Sequence, residues 1–425
     1  MAEQFVIVGG GRAGAYAAAT LRQEGFSGGI VLVGEEPIPP YDRPPLSKGV
    51  MIGEVAAADG LIFPWSFYQK NQIGLRLDNP AVHLDVEGQR LQLYGGELLM
   101  FDRLLLATGS RPRQLSWDAG SAARVHYLRT AADAEIISRR LRQCRRVTII
   151  GGGVIGFEVA ASAVSLGCGV TVIEAADQVM ARMIPREIAS YLLDYHSERG
   201  VRILISSRPA AVAGEGTTPR AVVLEDGHTV ETDLVVVGIG ITPEVTLARD
   251  GGLAVQDGIL TDAFCLTSSS GIYAAGDAAR FFHPIFERSL RLEAWRHAER
   301  HGQVAALNML GRAVQYQDVP WMWSDQYDLR LQIAGLMDDA DAFVCRGTWA
   351  QGSVTVFALK EGRLRGAAGL GKTDSIGRDI RIAQLIIEAG ALVDPDRLVD
   401  PKVKLKSLLP ARMAAPAPTA GVAQT

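Results

Sequence analysis

Short β-branched runs closed by glycine set the rhythm of this chain. Phe5-Val-Ile-Val runs into Gly9-Gly-Gly11-Arg-Ala-Gly14 and then into an alanine-rich stretch with helical character. Val147-Thr-Ile-Ile runs into Gly151-Gly-Gly153-Val-Ile-Gly156 and a second such stretch. A second apolar run follows each helix: Ile30-Val-Leu-Val, ending at Gly34-Glu35, and Val170-Thr-Val-Ile, ending at Glu174. The pattern predicts strand, GxGxxG, helix, strand and acid, twice over, which is the βαβ dinucleotide fingerprint. The first glycine of each turn permits a tight bend, the second lets backbone approach a pyrophosphate, and the third lets helix pack on strand. Helix N–H groups and the helix dipole then hold the phosphates. The acid lies 21 residues after Gly14 and 18 after Gly156, close to the ~20 that the ribose contact requires.

Three more strand-and-turn segments frame these units. Leu104-Leu-Leu leads into Ala107-Thr108-Gly109, and Leu234-Val-Val-Val leads into Gly238-Ile239-Gly240. Gly271-Ile-Tyr-Ala-Ala leads into Gly276-Asp277. From about Pro320 the texture changes: Trp321 and Trp323 cluster, Val354-Thr-Val-Phe-Ala-Leu reads as strand, and a late helix is expected near Ile382–Gly390. The expected fold class is therefore α/β with two Rossmann-type domains and a C-terminal α+β domain. The residues from about Ala414 are rich in Ala and Pro, and a disordered tail is expected over 412–425.

Composition adds limits. A chain of 425 residues with 48% hydrophobic and 21% charged content has ample material for two to four cores. Glycine accounts for 46 residues, above the typical ~7%, as a chain with many tight turns requires. The net charge of −4 gives no basic field for nucleic acid or an anionic membrane. No apolar stretch approaches the length of a membrane span, and no basic segment precedes the first apolar run as in a secretory signal. Cys144, Cys168, Cys265 and Cys345 show no CxxC and no metal-ligand spacing, so no metal site is expected and a cytoplasmic location fits.

The order GGGRAG, YDRPPLSK (Tyr41–Lys48), LATGSRPR, GGGVIGFE, VVGIGITPE, YAAGD and PWMWSDQ (Pro320–Gln326) resembles the NADH-dependent ferredoxin reductases of bacterial oxygenase systems. These are putidaredoxin-reductase-like members of the FAD-dependent pyridine nucleotide-disulfide oxidoreductases. The resemblance runs from residue 5 to about residue 410, and YDRPPLSK and PWMWSDQ are its most specific parts. It implies a glutathione-reductase-like fold: an FAD domain over 1–109 and 243–322, an NAD domain over 110–242, and a C-terminal reductase domain over 323–411. The first fingerprint (Gly9, Gly11, Ala13, Gly14), with Glu35, Ala107, Thr108, Gly109, Gly276 and Asp277, would then take FAD. By the same carry-over Arg43, Lys48, Val82, Arg129 and Trp295 contact it, with a surface charge the rival reading of Arg129 and a packing role that of Trp295. The second fingerprint (Gly151, Gly153, Val154, Ile155, Gly156), with Glu174, Gly238, Ile239 and Gly240, would take NADH. Arg182, the next arginine after Glu174, is counted on the nucleotide side.

Glu174 is followed by Ala175 and Ala176. A carboxylate there accepts the ribose hydroxyls and repels the 2′-phosphate of NADPH, so NADH is the expected donor. The resemblance pairs Lys48 with Glu158 beside the flavin and places Trp323 near flavin and nicotinamide, where domain-interface packing is the other reading. The helix after Glu293 is the candidate dipole for the reduced flavin. The chain carries seven lysines against 36 arginines, and Lys48, a compact point charge, is one of the few. Disulfide reductases of this fold carry a cysteine pair in the segment corresponding to Tyr41–Lys48, whereas no cysteine precedes Cys144 here. Electrons are therefore expected to leave singly to an external acceptor, and the resemblance implies that this is a small iron–sulfur protein, a [2Fe–2S] ferredoxin that serves a terminal oxygenase in the setting of aromatic hydrocarbon catabolism. Arg288, Arg291, Arg296, Arg300 and Arg312 are candidates for steering it, against the plainer reading of a solvated face interleaved with acids. Rubredoxin reduction, NADH oxidation and a redox-controlled binding role like that of apoptosis-inducing flavoproteins stand as alternatives. A monomer or weak homodimer is expected.

Overall fold

The computed structural model describes residues 3–117, 119–372 and 375–410; the tail expected over 412–425 lies outside them. The described residues form two compact units, one within Met1–Ala181 and Ala189–Asp318, the other Arg182–Ile188 with those from Val319 to Pro410.

The larger unit holds two five-stranded parallel sheets of matching design. In the first, the order is Ile272–Ala274, Arg103–Leu106, Gln4–Val8, Gly29–Val33, Ile73–Arg76. Phe5 pairs with both Ile30 and Arg103, so the first fingerprint strand is central. In the second, the order is Arg202–Leu204, Gly169–Ile173, Arg146–Ile150, Leu234–Val237, Val125–Tyr127. Val147 pairs there with Val170 and Leu234.

Both faces of a parallel sheet are buried, which is why the strands read as unbroken apolar runs. Phe5 and Ile7 face Ala17, Leu21, Val304 and Met309. Val6 and Val8 face the other way, toward Leu91, Leu93, Leu99 and Ala248. Small residues let the helix Arg12–Gln23 approach the helix Trp295–Met309: a Cβ on Gly302 would stand 2.3 Å from the Ala13 carbonyl oxygen. The chain leaves the first sheet through Ser110–Pro112 and returns through Ile241–Pro243, and these two strands pair antiparallel. Between them lies the whole second sheet.

The smaller unit is an antiparallel five-stranded sheet in the order Trp321–Gln326, Leu329–Gly335, Arg363–Gly371, Ser353–Lys360, Ala342–Thr348. The helix Ser375–Ala389 covers it and buries Ile380, Ala383 and Ile387. That helix begins several residues before the expected Ile382, because Ile376 and Ile380 extend its apolar stripe one turn back over Gly377. Arg346 ties the chain end to the sheet, donating to the carbonyls of Leu398, Asp400 and Val403.

Candidate functional site

The two fingerprint turns sit at the carboxyl ends of their sheets, between the first strand and the strand where the order reverses, the place where open α/β sheets bind ligands. Gly9 has φ +125, and a Cβ there would lie 2.0 Å from the Ala107 carbonyl oxygen. Gly151 repeats this against Gly238, with φ +108 and 2.3 Å. Gly14 and Gly156 each come within 2.1 Å, as a Cβ, of the carbonyl of the turn's first glycine. Gly11 differs: nothing stands within 4 Å of its would-be Cβ. The helices Arg12–Gln23 and Val154–Ser165 begin there with no side-chain cap and no acid in the first turn. Their first N–H groups have no intrahelical partner. Free donors, a positive helix end and an open cradle fit a dinucleotide pyrophosphate at each turn.

Around the first turn, the strand Ile272–Ala274 leads to Gly276, where φ is +74 and a Cβ would stand 3.2 Å from the Ala13 Cβ. Asp277 accepts a hydrogen bond from Ser110 Oγ at 2.9 Å and faces Arg129 at 3.6 Å. Burial pulls the Arg129 guanidinium below its ordinary value, and the Asp277 carboxylate opposes that shift. Gly109 has φ +71, and a Cβ there would stand 3.3 Å from the same guanidinium. Arg43 donates to the Arg129 carbonyl and pairs with Glu36, which Tyr41 also bonds. Glu35 is exposed at the end of its strand and meets Arg111 at 3.1 Å. Val82 is half exposed, on the strand Ala81–Asp85. Trp295 opens its helix, donates through Nε1 to Asp42 at 2.8 Å, and carries the Arg12 guanidinium 3.2 Å above its ring. These neighbours place Trp295 beside a charged cluster of Arg12, Asp42 and Glu299.

At the second turn, Glu174 Oε2 accepts from the Gly152 N–H at 2.6 Å and Oε1 from the Ala176 N–H at 2.8 Å. Its carboxylate thus stands at the strand end beside the glycine turn. Ile155 is exposed and Val154 half buried at the helix start, while Gly238, Ile239 and Gly240 line the facing strand end. Arg182 is exposed in Arg182–Ile188, a segment that belongs with the smaller unit. Trp323 also lies in that unit, stacked on Trp321 with ring centres 5.3 Å apart.

One ion pair joins the two fingerprint regions. Lys48 Nζ meets Glu158 Oε1 at 2.8 Å, with Glu158 only 3% exposed. The other carboxylate oxygen accepts from Ser47 Oγ, and Ser162 Oγ donates to the Ser47 carbonyl at 2.7 Å.

Sequence reasoning passed over several residues that the structure brings here. Ser47 and Ser110 lie within the quoted motifs, beside Lys48 and Gly109. His301 carried no local signal: its Nδ1 accepts the Gly276 N–H at 3.2 Å. It belongs to a buried cluster with His283, His297, Phe281 and Tyr316. Burial pulls His297 down to about 4 and His301 well below its ordinary value. Of the candidate docking arginines, Arg300 pairs with Asp318 and Arg312 with Glu24 at the surface, as a solvated mixed-charge face does, whereas Arg291, which pairs with Glu293, is largely buried.

Among the described residues no group of His, Cys, Asp and Glu is arranged to hold a metal ion, and no helix is long and apolar enough to cross a membrane. The four cysteines are free.

Comparison with known proteins extends over most of the chain. The family described as pyridine nucleotide-disulphide oxidoreductase matches residues 3–302, and the one described as reductase C-terminal matches residues 321–409. The ferredoxin–NAD(+) reductase component of the anthranilate 1,2-dioxygenase system of Burkholderia cepacia is 41% identical, over 96% of this chain and 100% of the relative. The ferredoxin reductase for the CYP199A2 system from Rhodopseudomonas palustris superposes with a TM-score of 0.91 at 37% identity, over 95% of this chain and 99% of that one. Putidaredoxin reductase in its covalent complex with putidaredoxin gives a TM-score of 0.90 at 33% identity, over 96% of this chain and 98% of that one.

Proposed function

The chain belongs to the pyridine nucleotide-disulphide oxidoreductase family, and from that premise we infer that it is an FAD-dependent NADH:ferredoxin reductase of an oxygenase system. The similarity to reductase components and to putidaredoxin reductase supports this assignment over nearly the whole chain. The observation that carries it in the structure is the Lys48–Glu158 pair set between two complete dinucleotide cradles, in a segment with no thiol.

FAD, when bound, supplies the chemistry of accepting a hydride and releasing electrons one at a time. The residues around it do the rest. Gly11 and the N-terminal amides of Arg12–Gln23 would hold its pyrophosphate, and Glu35 and Asp277 its hydroxyls. By the family resemblance Arg43, Val82, Thr108, Gly109 and Arg129 would contact the same cofactor. Gly153, Val154, Ile155 and Glu174 would hold the nicotinamide nucleotide. Lys48 brings a positive charge that Glu158 holds in place, where developing negative charge is best stabilised.

Of the segments proposed for the domains, 1–109 with 243–322, 110–242 and 323–411, the first two draw support from strand membership, whereas the C-terminal sheet takes in Trp321 and Met322 as well, in the strand Trp321–Gln326. The first sheet uses strands from before and after the insertion, and the second lies wholly within it. The acceptor is a [2Fe–2S] ferredoxin serving a terminal oxygenase. A cytoplasmic location, which four free cysteines favour, and a monomer or weak homodimer complete the reading.

The test is anaerobic. The purified, FAD-loaded protein is mixed with NADH, and bleaching of the flavin is followed before and after adding a [2Fe–2S] ferredoxin. Reoxidation by the ferredoxin within seconds is expected; faster turnover of peroxide or of a disulfide overturns the assignment.

A further inference from the structure

Ser47 and Lys48 are adjacent in sequence and grip opposite oxygens of one carboxylate. Lys48 Nζ takes Glu158 Oε1 at 2.8 Å, and Ser47 Oγ takes Oε2. Ser47 is 1% exposed and Glu158 3%. A buried carboxylate needs its oxygens hydrogen-bonded, because a lone contact leaves the desolvated charge only partly compensated. A carboxylate held by one oxygen alone can also turn about its last bond.

The serine is itself pinned. Its carbonyl accepts from Ser162 Oγ at 2.7 Å, and Glu158 and Ser162 are one helical turn apart on Val154–Ser165. One helix face therefore holds Ser47 twice, through backbone and through side chain. The Ser47 hydroxyl has a single proton. Its other acceptor, the Pro44 carbonyl, is 3.4 Å away, so the carboxylate is the better partner. Lysine is the opposite case, a point charge on four rotatable bonds whose position depends on what it meets.

We propose that Ser47 is a positioning residue for Lys48: by holding one oxygen of Glu158 it orients the other, and so fixes where the Lys48 ammonium stands. The proposal rests on the FAD-site reading for its consequence, since that ammonium is the charge offered to the flavin. It does not rest on that reading for its geometry.

Two measurements separate these. The first is competitive acetylation of lysines in the FAD-free protein, read by mass spectrometry with Lys70 as internal reference. Ser47→Ala should raise the Lys48 rate about threefold or more relative to Lys70, and Ser47→Thr, which restores the hydroxyl, should return it toward wild type. The second is the midpoint potential of bound FAD. Ser47→Ala should move it to more negative values, in the direction of Lys48→Ala, and should add nothing further in the Lys48→Ala background, as coupled residues on one path behave. An unchanged Lys48 labelling rate in Ser47→Ala overturns the proposal, as does a potential shift that adds in full to that of Lys48→Ala. An unchanged potential in the FAD-loaded Ser47→Ala protein overturns it too. If Ser47→Ala does not retain FAD, Ser47→Cys, a weaker donor, is measured in its place and should fall between wild type and Lys48→Ala. A wild-type protein that binds no FAD defeats the functional reading instead, and the labelling result then decides the role of Ser47 by itself.

Discussion

Glu174 closes the second strand of the inner fingerprint with its carboxylate held by the N–H groups of Gly152 and Ala176. No cation follows it in Ala175-Ala176, so a 2′-phosphate would meet a negative charge and no compensating guanidinium. NADH should be preferred over NADPH by at least about tenfold, which needs only ~1.4 kcal/mol. Glu174→Arg should narrow or invert that ratio in stopped-flow flavin reduction; equal rates with both nucleotides in the wild type would remove Glu174 from specificity. Lys48 makes a second residue-scale case. Lys48→Ala leaves Glu158 buried without its cation, and should slow flavin reduction by NADH more than it weakens ferredoxin binding. Rapid reduction in that variant, measured against a binding titration, would take Lys48 out of the mechanism.

The glycine turns act as elements, and their members should respond differently to one added methyl. A Cβ on Gly14 meets the Gly9 carbonyl oxygen at 2.1 Å, so Gly14→Ala must push helix and strand apart and should lower stability by roughly 1–3 kcal/mol. Gly11 has open space and an ordinary extended φ of −97. Gly11→Ala should leave the melting temperature of the FAD-free protein unchanged and weaken FAD binding, because its methyl would enter the space proposed for the pyrophosphate. Paired melting curves and FAD titrations distinguish the two variants. Equal loss of stability in both would refute the assignment of open space to a ligand.

At the scale of the whole molecule, the buried histidine cluster ties stability to acidity. His297 stands at about 4 when folded because burial disfavours its charge, against an ordinary value near 6.5. The unfolded chain therefore binds the extra proton first, and stability present above pH 6.5 falls as pH drops toward 4, by on the order of 3 kcal/mol for this group. His301 adds in the same direction. The groups around His297 are Tyr316, His283, His301, Asp277 and Asp318. In thermal unfolding at fixed FAD, His297→Gln should flatten the loss between pH 6.5 and 4 relative to wild type; parallel curves would contradict the assignment. The other whole-molecule expectation concerns exchange with a partner. Cytochrome c reduction by NADH should be slow alone, much faster with the cognate ferredoxin, and less so at high salt, since charge steering sets the encounter rate.

Features written in local backbone were legible in the chain alone. Gly9 and Gly151 need positive φ and Gly14 and Gly156 need bare contact, and the strands around them need apolar faces on both sides. All of these are met within a few residues, so both glycine turns, the strands around them and the α/β class could be read from the chain alone. The resemblance then suggested Lys48 with Glu158, but neither the hydroxyl of Ser47 on that carboxylate nor the acceptor nitrogen of His301 under Gly276 had a local signal. Trp295 shows the same limit: its indole N–H on Asp42 and the Arg12 guanidinium over its ring join three separate stretches of chain. Such pairings depend on where the path of the backbone returns after many residues. Local physics determined the turns and strands, and only the folded path decided which buried polar groups satisfy one another.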